Sequence, residues 1–290
     1  MTISLALATY NEEENIKACI ESCRGLVDEI VVVDGTSTDK TADTAKSLGA
    51  KVIIASNPKM FHINKQKAID ETRGDWVLQL DADERVTPEL AKEIEKVITM
   101  NNQELEEYQK KLPNRELFMR HQKLVTPDSA GSGVYNAFFI PRLNFFLGKY
   151  LRYGGVYPDG VIRLFKRGKA HLPCKDVHEI MEVEGRTGWL QNSLKHIDSP
   201  NFKRYLERNS RYVDRLTDEL KSQRSNLKST TQISQLIQFI DWMIIKPVMW
   251  FLMTTFRHKG ILDGWQGIVF SFFSALRFPR AYICFVTRRF

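Results

Sequence analysis

Four cysteines in 290 residues are too few for a disulfide framework. Cys19 and Cys23 lie four apart in a predicted helix, while Cys174 and Cys284 stand alone. Core packing is therefore their expected role, and a reducing cytoplasm suits them. No basic leader or cleavage site precedes the first apolar strand, so no signal peptide is expected. No apolar run reaches the ~18 clean residues of a spanning helix. Ile233–Ile245 and Pro247–Phe256 are separated by Lys246 and carry Asp241, and Gly260–Leu276 carries Asp263. Residues 8–15 contain no glycine-rich phosphate loop with a basic residue, which argues against a nucleotidyltransferase on a related fold. No internal repeat is visible.

What the chain does have is the composition of a globular protein, with 43% apolar and 27% charged residues. Its net charge of +7 is unevenly placed. Residues 201–290 hold 15 Lys and Arg against 6 Asp and Glu, or +9, and the first 200 hold 27 against 29, or −2. A basic final third on a near-neutral body implies a polyanionic partner. Nucleic acid is disfavoured, because the aromatic residues there run in apolar stretches and are not interleaved with the basic ones. An anionic membrane surface fits better.

Short apolar runs at Ile3–Ala8, Ile30–Val33, Val52–Ala55 and Trp76–Leu80 alternate with helical stretches near Glu12–Arg24, Asp39–Leu48 and Ile63–Arg73. A fourth helix is expected after Thr87 as N-cap, with Pro88 at its first position. This alternation implies a parallel α/β sheet, with ligands at the carboxyl ends of the strands. The pattern then changes. Glu104–Lys111 reads as a polar helix, Thr126–Gly133 as a loop, Tyr135–Ile140 and Val161–Phe165 as strands, Phe202–Lys221 as a long helix and Ser222–Thr231 as a linker.

Asp81-Ala82-Asp83-Glu84 follows the strand Trp76–Leu80 directly. Alternate acids there can aim two carboxylates into one crevice, where a hard divalent ion and a diphosphate could bind, since magnesium takes few protein carboxylates and shares phosphate oxygens. Asp34, at the end of the second strand, can accept hydrogen bonds from a ribose or base, and Asp39 is placed to cap the next helix. Thr9-Tyr10-Asn11-Glu12 leaves the first strand where a nucleotide would lie. Lys65, Lys67 and Arg163 are candidates for phosphate contact.

An apolar strand ending in Ala8-Thr9-Tyr10-Asn11-Glu12-Glu13, then Val33-Asp34-Gly35-Thr36-Ser37-Thr38-Asp39, then Leu80-Asp81-Ala82-Asp83-Glu84 resembles a family 2 glycosyltransferase. The likeness continues through residues 152–159 (Arg-Tyr-Gly-Gly-Val-Tyr-Pro-Asp), Arg163-Leu164-Phe165, Val177-His178-Glu179 and residues 259–264 (Lys-Gly-Ile-Leu-Asp-Gly). This order is similar to that of bacterial lipopolysaccharide-core β-1,4-glucosyltransferases. The resemblance implies a GT-A type, Rossmann-like sheet that binds a nucleotide sugar such as UDP-glucose, with Mg²⁺ or Mn²⁺ as cofactor. Thr9, Asn11, Glu12, Asp34, Lys65, Asp81 and Arg163 would surround the donor: Asp34 on the nucleoside, Asp81 on the ribose or diphosphate. Asp83 would hold the metal, with His178 orienting or near the metal. Glu179 would be the base that takes the acceptor hydroxyl's proton during an inverting displacement. Many members carry a second acid where this chain has Gly35, so base recognition would fall to Asp34 or the Thr9 loop.

Residues 1–200 are thus expected to form the catalytic domain, with 1–100 the nucleotide-binding half and 101–200 the acceptor half. Residues 201–290 are expected to form a helical, basic, amphipathic extension. Trp242, Trp250 and Trp265, with Arg257, Lys259, Arg277 and Arg280 nearby, suit helices lying in the headgroup plane. The expected acceptor is a lipid-linked or envelope glycan, with a polyprenyl phosphate as the alternative. The expected location is peripheral, on the inner face of the cytoplasmic membrane. A buried hairpin or a homo-oligomer interface is the other use such a segment would serve.

Overall fold

The computed structural model describes residues 1–125, 133–175, 180–225 and 232–287. The chain divides into two compact units, Met1–Leu143 with Pro158–His196 and Asn144–Tyr157 with Ile197–Phe290.

The first unit is built on a seven-stranded sheet. Its strands are β1 (Ile3–Thr9), β2 (Glu29–Asp34), β3 (Lys51–Ile54), β4 (Trp76–Leu80), β5 (Tyr135–Ile140), β6 (Val161–Lys166) and β7 (Arg186–Trp189), in the spatial order β7-β5-β6-β4-β1-β2-β3. Helices α1 (Glu13–Ser22), α2 (Thr41–Ser47) and α3 (His62–Asp70) connect the first four strands. These pair in parallel, as the alternation predicted. The remainder corrects the expectation of a parallel sheet. β6 enters antiparallel between β4 and β5, and β7 pairs in parallel with β5. All five residues of β4 are buried, as befits a strand covered on both faces.

Helix α4 (Pro88–Thr99) starts as expected: Thr87 accepts from the Leu90 amide at 3.2 Å and Pro88 occupies the first turn. Leu90, Ile94, Val97 and Ile98 then fall on one face and join the main core. Helix α5 (Asn102–Lys110) opens with a capping box between Asn101 and Glu104. Helix α6 (Arg115–Val125) and strand β7 were not anticipated. Both attach to Trp189, which stacks between Phe118 and Phe139 at centroid distances of 4.6 and 4.8 Å. Cys19 and Cys23 face this unit's core from α1 and its C-cap, and the Cys19 thiol donates to the Asp81 carbonyl at 3.6 Å.

In the second unit, a hairpin pairs Asn144–Phe146 with Lys149–Leu151 across Leu147 and Gly148, both at positive φ, the geometry of a type I′ turn. Helix α7 (Phe202–Ser225) runs past the expected end at Lys221, and residues 226–231 of the expected linker lie outside the described residues. So do residues 126–132 of the expected loop.

The C-terminal segment departs most from the sequence reading. Two helices, Ser234–Arg257 and Trp265–Thr287, are 24 and 23 residues long and by length and composition could cross a membrane. The charges expected to break the first of them do not. Asp241 and Lys246 pair at 2.9 Å across a π-helical turn, whose five-residue spacing aligns them, and Lys246 also sits 3.8 Å over the Trp242 ring. Asp263 lies outside both helices, buried in the turn between them. In the more apolar 18-residue windows of these helices only 6% and 28% of residues are buried, so their apolar faces are largely uncovered. The three tryptophans differ in their surroundings. Trp242 is buried, Trp250 donates to Ser274 at 3.0 Å, and Trp265 stands exposed.

Gly160 provides a test of the first unit's packing. A Cβ there would lie 2.1 Å from the Trp189 ring, itself pinned by two stacked phenylalanines. Gly160→Ala is therefore expected to destabilise the protein by about 1–3 kcal/mol in urea unfolding. An unchanged midpoint would mean that the Trp189 sandwich yields easily.

Candidate active site

The carboxyl ends of β1, β2 and β4 carry the residues singled out by sequence. The first two loops are stitched together by side chain to backbone bonds. Asp34 is 1% exposed and accepts from the Ser37 amide (2.8 Å), the Ser37 hydroxyl (2.6 Å) and Thr9 Oγ1 (3.2 Å). Asn11, in the left-handed region at φ 53°, accepts from the Thr38 amide at 2.8 Å and donates its own amide to Ser37. The Glu12 amide donates to Thr41 Oγ1, and the Glu12 carboxylate accepts from Asn15. Asp39 accepts from the Thr41 amide at 3.0 Å, but the N-cap position of α2 is Lys40, which makes no side-chain cap bond, so Asp39 lies one residue ahead of the capping place expected of it. Thr9, Asn11 and Asp34 thus brace the loops at the carboxyl ends of β1 and β2.

The turn after β4 holds a dense charge cluster. The Asp81 amide donates to Glu84 Oε2 and the Glu84 amide to the Asp81 carbonyl, both at 2.9 Å, which closes the turn on itself. Asp81 pairs with Lys65 through one oxygen and with Arg163 through the other, each at 2.5 Å. Arg163 also reaches Glu84 at 2.9 Å and donates to Gln79 Oε1. Glu84 is fully buried and takes a second guanidinium, Arg142, at 3.3 Å, which in turn pairs with Asp159 at 2.9 Å. Burial alone would raise the Asp81 carboxyl, but Arg163 and Lys65 outweigh it and hold the group well below the usual carboxylate range. Burial likewise disfavours charge on Arg163 and Arg142, and their acidic partners keep both above the ordinary guanidinium value.

Asp83 points elsewhere. Its Oδ2 lies 3.4 Å from His196 Nε2, while its Oδ1 is buried with no hydrogen-bond partner among the described residues. Burial pushes this carboxyl up, but the bond to His196 more than offsets that, so its net shift is downward. A buried anionic oxygen without a donor is a place for a cation, and the hard carboxylate suits Mg²⁺ or Mn²⁺. Among the described residues no group of three His, Cys, Asp or Glu side chains forms a closed metal cage. His178 and Glu179 lie outside the described residues.

Lys65 joins this cluster through Asp81, whereas Lys67, two positions along α3, has no ion pair in it among the described residues. Arg163 does not stand open for phosphate: at 6% exposure it is the internal bridge between two acids. Sequence reasoning missed Glu84, Arg142, Gln79 and His196. Glu84 and Gln79 were hidden because their partner Arg163, or in Glu84's case also Arg142, arrives from a distant part of the chain, and Arg142 because its partner Glu84 does. His196 reaches the site through a bridge pairing with Glu84 that only the fold reveals.

Two outcomes are expected. Arg163→Met leaves Asp81 and Glu84 buried without their shared cation and should cost about 3–5 kcal/mol in urea unfolding; an exposed phosphate ligand would cost little. Because the Asp81 and Asp83 carboxyls are depressed in the folded state, their stabilisation is complete above ~4 and lost as pH falls toward the folded values. Melting temperature should therefore fall below pH 4, with a shallower acid limb in Asp81→Asn.

Comparison with known proteins places this arrangement in context. A glycosyltransferase of Rickettsia bellii (strain RML369-C), described as uncharacterized, is 42% identical over 104 residues, covering 35% of this chain and 34% of the relative. The glycosyltransferase SunS of Bacillus phage SPbeta is 33% identical over 98 residues, or 33% of this chain and 23% of SunS. The matched segment thus spans about a third or less of these relatives' length. Among solved structures, glucosyl-3-phosphoglycerate synthase from Mycobacterium tuberculosis, crystallised with Mn²⁺, UDP and glucosyl-3-phosphoglycerate, is 34% identical over 29% of this chain and 34% of that one, with a TM-score of 0.25. TarS of S. aureus is 13% identical over 90% of this chain and 45% of its own, with a TM-score of 0.41. Residues 4–167 match the model described as "Glycosyl transferase family 2". That span is more than half of the sequence and takes in the Asp34 loop, Lys65, the Asp81–Glu84 turn and Arg163, so the chain belongs to glycosyl transferase family 2.

Proposed function

We propose that the chain is an inverting, metal-dependent hexosyltransferase that moves a sugar from UDP-glucose or a similar nucleotide sugar to a lipid-linked or cell-envelope glycan. The observation that carries this reading is the buried, unpartnered Asp83 oxygen beside the ion-paired Asp81 at the end of β4. Charge balance supports it. Asp81, Asp83, Glu84 and Asp159 face Lys65, Arg142 and Arg163, four carboxylates against three Lys and Arg side chains, with the His196 imidazole beside Asp83. A cluster already short of positive charge needs a cation in order to accept a diphosphate. A divalent ion bound at Asp83 would neutralise charge on the departing diphosphate.

The chain's own groups have separable tasks. Lys65, less buried than Arg163, is the cation that can turn from Asp81 to a phosphate oxygen. Arg163 keeps Asp81 ionised and fixed. The loops braced by Thr9, Asn11 and Asp34 form the wall for the nucleoside. Glu179 takes the acceptor hydroxyl's proton, with His178 beside it in sequence. Both assignments rest on sequence position.

In our reading the basic, apolar C-terminal helices support attachment to an anionic membrane, at the inner face of the cytoplasmic membrane, in lipopolysaccharide or other envelope synthesis. The uncovered apolar faces of these helices favour one second reading, transfer to a polyprenyl phosphate. Such an acceptor has no hydroxyl to deprotonate.

Asp83→Ala should abolish turnover and remove the divalent-ion dependence of UDP binding in calorimetry while leaving the melt cooperative. Undiminished activity in EDTA would refute the metal. Glu179→Gln should lower kcat by ~10²–10⁴ while donor binding survives. Near wild-type activity of this variant would instead favour the polyprenyl phosphate acceptor, and retention of the donor's anomeric configuration would refute inversion.

A further inference from the structure

The basic charge of the second unit is not spread evenly once its partners are considered. Lys246 is paired with Asp241. Arg277 stacks between Tyr212 and Trp250 at 5.1 and 5.4 Å. Arg280 donates to Asn209 and Ser210. In contrast, Arg257, Lys259 and Arg152 are exposed and have no ion pair or hydrogen-bond partner for their side chains among the described residues.

These three come from two distant segments held together by one buried acid. The Asp263 carboxylate, 2% exposed, accepts from the amides of Arg152 (3.0 Å) and Tyr153 (2.8 Å). The Gly154 amide donates to the His258 carbonyl at 2.8 Å, and Lys149 donates to the Asp263 carbonyl at 2.7 Å. Glycines allow this approach. A Cβ on Gly260 would meet the Thr254 carbonyl at 2.7 Å and Gly154 at 3.3 Å, and one on Gly267 would meet the Gly260 carbonyl at 1.9 Å. Lys259 itself is held in the left-handed region at φ 58°, a conformation that persists only where the surroundings impose it. The turn is thus a rigid platform that presents cations outward.

The same turn exposes apolar side chains. Phe256 and Trp265 are each 58% exposed, and Ile261 and Leu262, between them, are also uncovered. Exposed cations flanked by exposed aromatic and aliphatic groups match a bilayer interface, where rings enter the acyl boundary and guanidinium and ammonium groups stay at phosphate level. A site for soluble phosphate would have no use for the apolar rim.

We infer that the turn joining the two C-terminal helices is a lipid-headgroup site, at which Arg152, Arg257 and Lys259 bind the phosphate of an anionic bilayer lipid while Phe256, Ile261, Leu262 and Trp265 insert beside it. This rests on the membrane reading above and narrows it to one surface. Each basic residue at an anionic surface contributes roughly fivefold in binding.

The test is co-sedimentation of the full chain with vesicles of phosphatidylcholine alone or mixed with phosphatidylglycerol. The triple variant Arg152→Gln, Arg257→Gln, Lys259→Gln should lose roughly a hundredfold in affinity for the anionic vesicles and keep its weaker binding to the neutral ones. Leu262→Ser with Trp265→Ser should weaken binding to both. A control triple at exposed lysines of the first unit, Lys17→Gln, Lys40→Gln, Lys46→Gln, should leave the anionic preference intact. Full anionic preference in the first triple, or equal loss in the control, would overturn the site and leave membrane binding standing. Wild-type chain that binds neither vesicle would overturn both. A melting-temperature rise with inorganic phosphate alone, absent in the triple, would reassign the site to free phosphate and overturn the lipid assignment.

Discussion

A guanidinium buried between two carboxylates organises the first unit. Arg163 lies on β6, the strand of the seven-stranded sheet that runs against its neighbours, and the register of β6 on β4 brings it beside Gln79 and over the Asp81–Glu84 turn. Desolvating such groups costs several kcal/mol each, offset here by the bonds of Arg163 to Asp81, Glu84 and Gln79, although its Nε has no hydrogen-bond partner among the described residues. The consequence is geometric. Glu84, saturated by Arg163, Arg142 and the Asp81 amide, cannot wander, so the turn between Asp81 and Glu84 is fixed. Asp83, inside that turn, is therefore presented at one position, with its Oδ2 beside His196 and its Oδ1 without a hydrogen-bond partner among the described residues. Such preorganisation of a site by a saturated surrounding network is what binding a small, hard cation requires.

The legible parts of this architecture are those decided within a short window. The β4 run Trp76–Leu80 followed by Asp81 and Asp83, the Thr87-Pro88 helix start and the strand Tyr135–Ile140 are local patterns, and each lies where the pattern put it. Lys65, singled out as a candidate for phosphate contact, pairs with the Asp81 carboxylate. Arg163 was singled out for its charge but given the wrong surroundings, since nothing local reveals that its strand is inserted antiparallel and buried. His196 and Arg142 were invisible for the same reason. Their roles depend on pairings across 112 and 58 positions of sequence.

The C-terminal helices illustrate a different failure. Counting charges along a line treats Asp241 and Lys246 as two interruptions. In three dimensions the π turn makes them one neutral pair, shielded by Trp242, and the helix continues. Window-based hydropathy has no means of recognising that opposite charges five positions apart cancel, because in a regular α-helix they would not share a face. The buried Asp263 misled in the opposite way: it marks the real break between the helices, but by gripping backbone amides of a remote loop and not by exposure to water.

The two core cysteines of α1 and its C-cap bear on how the charged site behaves. Burial, reinforced by the neighbouring thiol and by Glu84 and Asp83 and only partly opposed by Arg85, pushes the Cys19 thiol well above its usual range, and burial pushes Cys23 up to about 12. The thiolate is the species that alkylates, oxidises and captures soft metals, so at neutral pH both sulfurs are chemically silent. Cys19 sits against the Asp81 carbonyl, directly beneath the carboxylate turn. A sulfur there that ionised would add negative charge to a cluster already short of positive charge and offer zinc or copper a softer ligand than any carboxylate provides. Kept protonated, it is an inert floor, and the choice of any ion held at Asp83 would be left to oxygen chemistry alone.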